Sequence, residues 1–134
     1  MSERSGSESH RDVKSIARDR LRVEATWVTN AVTELFALGN VPNNRFRYIV
    51  AIYIKGNLNQ TDTLQLELED NDDNYHEKWS RIPIAPAAFI QIPVGGYDLE
   101  DSILTLTEGE SLHGTVHVTG HSVNVTVAYW DNDV

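Results

Sequence analysis

The apolar positions of this chain change period once. Between Arg11 and Arg22, Val13, Ile16, Ala17 and Leu21 recur three and four residues apart, with Arg and Asp between them. That spacing is a narrow apolar stripe on a helix. A helix so short is marginal in water by itself. The stripe therefore predicts a surface to pack on, in its own body or in another subunit. After Glu24 the period falls towards two.

Ala31–Leu38 (AVTELFAL) is an apolar stretch closed by Gly39 and Pro42. Arg45–Lys55 (RFRYIVAIYIK) reads as the strongest strand. Its alternation puts Phe46, Tyr48, Val50, Ile52 and Ile54 on one face and Arg47, Ile49, Ala51, Tyr53 and Lys55 on the other. The middle is apolar on both faces, as in a central strand covered from both sides. Lys55-Gly56-Asn57 carries turn chemistry. Thr61–Glu69 then alternates cleanly, with Leu64, Leu66 and Leu68 inward and Gln65, Glu67 and Glu69 outward.

Residues 70–74 (DNDDN) form a loop, and Tyr75–Ile84 reads as an irregular strand that Pro83 and Pro86 confine to an edge or corner. Short strands follow at Phe89–Ile92, stopped by Pro93-Val94-Gly95-Gly96, and at Ser102–Thr107, before a turn at Glu108-Gly109-Glu110. The last two strands predict a hairpin. With Gly120-His121 as its turn, Val118 faces Val123, Val116 faces Val125, Gly114 faces Val127 and Leu112 faces Tyr129. Every inward position then meets an inward one, and a slip of one residue destroys the match.

About eight short strands, with turn signals every eight to twelve residues, predict an all-β fold. The expected architecture is a single antiparallel β-sandwich, jelly-roll or Ig-like, over residues 24–134. Residues 1–23 are expected to be a flexible arm with a short amphipathic helix, and residues 1–9, rich in Ser, Gly and Glu, to be disordered when alone.

Charge sharpens that division. Residues 1–23 carry six Lys/Arg against four acids, a net of +2, while residues 24–134 carry five against sixteen, a net of −11. An acidic body repels nucleic acid and anionic membrane, so neither is an expected partner. The basic arm could dock on an acidic surface, such as the body of a neighbouring copy. At 134 residues the chain has room for one domain. The opening MSERSGSESHRD has no apolar core of a secretory signal. The chain has no cysteine, which removes disulfides, thiolate nucleophiles and Cys-based metal sites.

Several patterns resemble sites. His113, His117 and His121 are four residues apart, which on a helix would suit zinc. On a strand, residues four apart are separated by roughly 13 Å, against about 2 Å from ligand to zinc. They are read as surface histidines, with a metal shared across a symmetry axis as the remaining route. Asp70-Asn71-Asp72-Asp73-Asn74 begins like a calcium loop, but Tyr75 and Arg81 stand where an EF-hand needs Gly and Glu. An irregular calcium site on Asp70, Asp72 and Asp73 is weighed against a solvated acidic turn.

Glu67/Glu69, Glu100/Asp101 and Glu108/Glu110 are paired carboxylates on predicted solvent faces and turns, where acids are expected anyway. No nucleophile elbow, phosphate-cradling loop or His-Glu-x-x-His is present, so the chain is read as non-enzymatic and without a cofactor. Asn59-Gln60-Thr61 and Asn124-Val125-Thr126 match the glycosylation pattern and are read as chance matches. Trp27, Trp79 and Trp130, with Tyr75, Tyr97 and Tyr129, could form a ligand platform. Tyr129 falls on the core face and Trp130 on the outer face, as an interface anchor or as packing for the arm.

The run SILTLTEGESLHGTVHV, followed by SVNVTVAYWD, resembles the C-terminal strands of small β-sandwich virion proteins of tailed phages and related viruses. NVPNNRFRYIVAIYIKGN fits the same kind of domain. The resemblance is one of pattern over residues 31–134 and carries no site residue. It implies a head-decoration or minor capsid subunit that binds a major capsid protein and copies of itself, as a trimer or other cyclic assembly. Such a protein would be made in the host cytoplasm and reside in the virion; otherwise the chain would be cytoplasmic. The residues expected at its interfaces are Val13, Ile16, Arg18, Arg20, Leu21 and Trp130. The alternative is a carbohydrate-binding-like module that uses surface aromatics.

Overall fold

The computed structural model describes residues 15–35 and 40–133. Val13, the expected disorder of residues 1–9 and the last three residues of the AVTELFAL stretch lie outside them. A short helix, α1 (residues 15–20), is followed by nine strands. These are β1 (Arg22–Val28), β2 (Thr33–Glu34), β3 (Arg45–Gly56), β4 (Asp62–Glu69), β5 (Tyr75–Ile84), β6 (Phe89–Ile92), β7 (Leu104–Leu106), β8 (Ser111–Val116) and β9 (Val123–Asp133).

The strands pair from the ends of the chain inwards. β1 pairs with β9, β2 with β8, β3 with β6 and β7, and β4 with β5, all antiparallel. This nested hairpin closes into a first sheet of order β1-β9-β3-β6, with β7 also beside β3, and a second of order β2-β8-β4-β5. The two sheets pack face to face as a β-sandwich, and the nesting gives it the jelly-roll strand order.

The core lies between the sheets. Val28, Ile49, Ile52, Ile54, Val125, Val127 and Tyr129 of the first sheet meet Leu64, Leu66, Leu68, Ile84, Leu112 and Val116 of the second. The sheets approach closely at Gly114: a Cβ there would lie 3.2 Å from a Val28 methyl and 3.3 Å from Leu66. The bare glycine admits Val28 between the sheets.

Three features depart from the alternation pattern. The predicted β8–β9 hairpin does not form, because the two strands belong to opposite sheets. Leu112, Val116, Val123, Val125, Val127 and Tyr129 do all face the core. Alternation assigns a face, and in a sandwich both sheets turn that face to the same core, so inward residues can meet across it as well as side by side. The second departure is a bulge in β3, where Ile49 lies opposite Tyr129 and Ala51 already opposite Ala128. The extra residue, Val50, shifts the period. Ile49, Ile52 and Ile54 therefore share the inner face, while Tyr48, Val50, Ala51 and Tyr53 pack outside.

The third is β1 itself, whose pattern is inverted. Cross-strand pairing of Glu24 with Val127, Thr26 with Val125 and Val28 with Val123 turns its polar residues inward. Thr26 donates its hydroxyl to Leu35 O at 2.8 Å. Tyr129 donates its phenol to Glu24 Oε1 at 2.9 Å. Val23 and Trp27 are left outside, 61% and 59% exposed.

Candidate functional site

The helix α1 lies on the outer face of the first sheet. Ala17 is fully buried there in a small second cluster with Val50, Ala51, Ala128 and Trp130, flanked by Leu21, Tyr48, Tyr53 and Leu99. An alanine at the contact lets the helix backbone sit close to the sheet. Trp130 is only 3% exposed. Its ring lies 4.8 Å from that of Tyr48, and its Nε1 donates to Leu99 O at 3.2 Å. It faces outward from the sheet and is roofed by the chain's own helix.

Of the other residues predicted at an interface, Leu21 is half-buried beside the same cluster, while Ile16, Arg18 and Arg20 are exposed. Arg20 Nη1 donates to Asp131 O at 3.2 Å. Arg20, Arg22 and Arg45, with Asp19, Leu21 and Asp131, line a cavity of about 410 Å³ where α1 enters β1. Arg45 also meets Asp133 at 3.1 Å. This end of the sheet is a collar of arginines.

Beneath the collar, Arg47 is 2% exposed and forms a two-pronged pair with Asp131, at 2.8 and 3.0 Å. Its guanidinium stacks 4.7 Å from the centre of the Tyr129 ring. Burial, then the hydrogen bond and charge of Glu24, push the Tyr129 phenol up to about 12, with Arg47 pulling the other way. The planar Arg fork suits this site because it satisfies a carboxylate and covers an aromatic face at once.

The outer face of the second sheet has the opposite character. Cross-strand pairs align Glu67 with both Glu77 and His113, and Glu69 with Tyr75. The acidic loop 70–74 adjoins this face. Asp70 Oδ1 accepts the backbone N–H of Asp72 and Asn74, and its Oδ2 meets His76 Nε2 at 2.8 Å. The His76 hydrogen bond, with the backbone donors, holds the Asp70 carboxyl below its usual range. Asp70 is thus engaged as the staple of a turn, with Asp73 in the left-handed region at φ 62°.

The three spaced histidines part company. His117 is exposed, with Nδ1 2.8 Å from Thr63 Oγ1. His113 is partly buried and edge-on to Tyr75. His121, expected at the surface, is instead buried at 8% exposure. It packs against Asp62, also buried at 4%. Asp62 Oδ1 accepts the backbone N–H of Thr63 and His117 at 2.7 and 3.0 Å. Its Oδ2 accepts that of Val118 at 3.1 Å and His121 Nδ1 at 2.9 Å. The other imidazole nitrogen lies 2.6 Å from Asn59 Oδ1. Asn59 and Asp62 carried no signal of this role in the sequence, because His117, Val118 and His121 lie more than fifty positions away.

Ser111, His113 and Glu69 have the composition of a nucleophilic relay but not its geometry. Ser111 Oγ lies 2.8 Å from His113 Nε2, and Glu69 Oε1 lies 3.4 Å from that same nitrogen. A relay needs hydroxyl and carboxylate on opposite nitrogens, and Ser111 is fully buried. Among the described residues no group of three or more His, Cys, Asp or Glu is placed to hold a metal ion. No helix among them is long and apolar enough to cross a membrane.

No family model matches this chain. No curated protein matches it either. In structure it is similar to a chain in the crystal structure of the T13 IBDV viral particle, with a TM-score of 0.44 and 11% identity over 84% of this chain. The match spans 36% of that chain.

Proposed function

We propose that this chain is a non-enzymatic structural subunit of a virus particle, a capsid decoration or minor capsid protein that joins copies of itself head to tail. The observation that carries the reading is the opposition of charge on the two outer faces. One bears the exposed Arg18 and Arg20 of α1, next to the end of the sheet where Arg22 lies and Arg45 is paired with Asp133. The other bears Glu67, Glu69 and Glu77, next to a loop holding Asp70, Asp72 and Asp73. A contact between unlike faces is heterologous, and it closes into a ring when the rotation between subunits allows. Surface charge of this kind steers and orients association more than it adds affinity.

The jelly-roll order is shared by viral capsid and lectin domains, and a fold alone does not assign function. The virion part of the reading is supported by the strand pattern of residues 31–134. A major capsid protein is the further partner in this reading.

The test is the solution mass of the full-length protein by light scattering at several salt concentrations. The expected result is a discrete oligomer that dissociates as salt rises. Arg18→Glu/Arg20→Glu and Glu67→Lys/Glu77→Lys should each be monomeric and should associate when mixed. A monomer at every salt concentration overturns head-to-tail assembly.

A further inference from the structure

The part of the first sheet's outer face beyond α1 is open. One row of side chains crosses four of its strands: Trp27 on β1 beside Asn124 on β9, then Lys55 on β3, then Phe89 on β6. The next row towards α1 is Ala25, Thr126, Tyr53 and Gln91. Trp27 and Phe89 are 59% and 67% exposed. A cleft of about 620 Å³ opens here, lined by Trp27, Lys55, Gly56, Asn57, Ala87 and Asn124.

We propose that this cleft binds an anionic sugar. The sandwich has filled its core without Trp27, so the indole is an aromatic surface with no interior role. A flat aromatic face beside a few directed polar groups suits an amphipathic ring: its C–H face lies on the indole while its hydroxyls reach amides. Asn57 and Asn124 supply those amides. Thr126 Oγ1 donates to Asn124 Oδ1 at 3.1 Å, which leaves the Asn124 NH₂ as the donor for a ligand.

Charge selects among sugars. Among the described residues that line the cleft, Lys55 is exposed and is the only charged one, and none is a carboxylate. In a chain of net charge −9, an uncompensated ammonium beside an aromatic platform favours a negative ligand. Asn124 and Asp131 are seven residues apart on β9, roughly 23 Å. The cleft is thus remote from the arginine collar, and the inference does not depend on head-to-tail assembly.

The test is a glycan array displaying neutral, carboxylated and sulfated glycans, probed with the full-length protein and three variants. Binding to anionic glycans is expected, with the carboxylated and sulfated arms distinguishing the source of charge. Trp27→Ala should abolish it. Lys55→Gln, which removes only an exposed ammonium, should weaken it about tenfold while leaving the melting temperature unchanged. Tyr75→Ala, on the opposite face of the sandwich, should bind as the parent does. No glycan bound, neutral glycans alone bound, or binding indifferent to Lys55→Gln each overturns the proposal. So does loss of an oligomer in Trp27→Ala without any glycan signal, which would make the cleft a contact between copies.

Discussion

His121 Nδ1 lies 2.9 Å from Asp62 Oδ2, joining the start of β4 to the segment that leaves β8, 59 residues later. This pair explains why β8 and β9 are not a hairpin. In a hairpin, the backbone N–H groups after Val116 would go to the next strand. Here those of His117 and Val118 go to the Asp62 carboxylate. The chain can therefore turn from one sheet to the other without leaving these partly buried donors unpaired.

Asp62→Ala should destabilise the protein by about 3 kcal/mol, because it removes four hydrogen bonds and leaves the buried His121 imidazole and three partly buried N–H groups without their acceptor. Burial alone would raise the Asp62 carboxyl, yet three backbone N–H groups and His121 together bring it below its ordinary value of 3.8. A depressed folded pKa contributes stability that is present above the unfolded value and lost as pH falls through the folded one. Urea midpoints measured from pH 7 to pH 2 should therefore drop in acid, and Asp62→Asn should show a shallower drop. Equal slopes would remove Asp62 from the acid response.

One tyrosine should titrate near pH 12 in an ultraviolet alkaline titration, and Tyr129→Phe should delete that step. Glu24→Gln should move it towards 10, since the Glu24 carboxylate accepts the phenol's hydrogen bond. The sign follows from linkage. A raised folded pKa contributes stability in full below the unfolded value near 10, lost as pH rises through about 12. A Glu24→Gln step still near 12 would contradict this account.

Ala17→Glu should lift α1 from the sheet, since the fully buried methyl has no room for a carboxylate and no partner to offer one. With Trp27 and Trp79 replaced by phenylalanine, fluorescence reports Trp130 alone, and its emission should shift to the red. The main core lies on the other side of the sheet, so the loss should be about 1–3 kcal/mol and the fold should persist. Unchanged emission would mean that the helix does not shelter Trp130.

The sequence was most legible where one face is wet and the other dry. β4 is the clearest case, with Leu64, Leu66 and Leu68 buried and Gln65, Glu67 and Glu69 outward as predicted. The outward turn of Trp130 was legible too, but not the helix that covers it. Pairing was not legible for β8 and β9, because two valine-rich strands look alike whether they lie side by side or face to face across a core. β1 escaped because most of its apolar residues, Val23, Ala25 and Trp27, are exposed, and its inward Glu24 meets a phenol 105 positions later. Val50 escaped because a bulge is an extra count of one, visible only against a partner strand. The open cleft around Trp27 depends on both strands and was hidden with them.

The nested pairing also sets an order of events during synthesis. β9 lies between β1 and β3, so these two strands have no partner in common until Val123–Asp133 has been made. A nascent chain lacking those residues exposes two long unpaired edges, the form of backbone most open to pairing with other chains. The first sheet therefore cannot close while its central strand is still on the ribosome, and the chain must be shielded or slow to aggregate until that strand emerges.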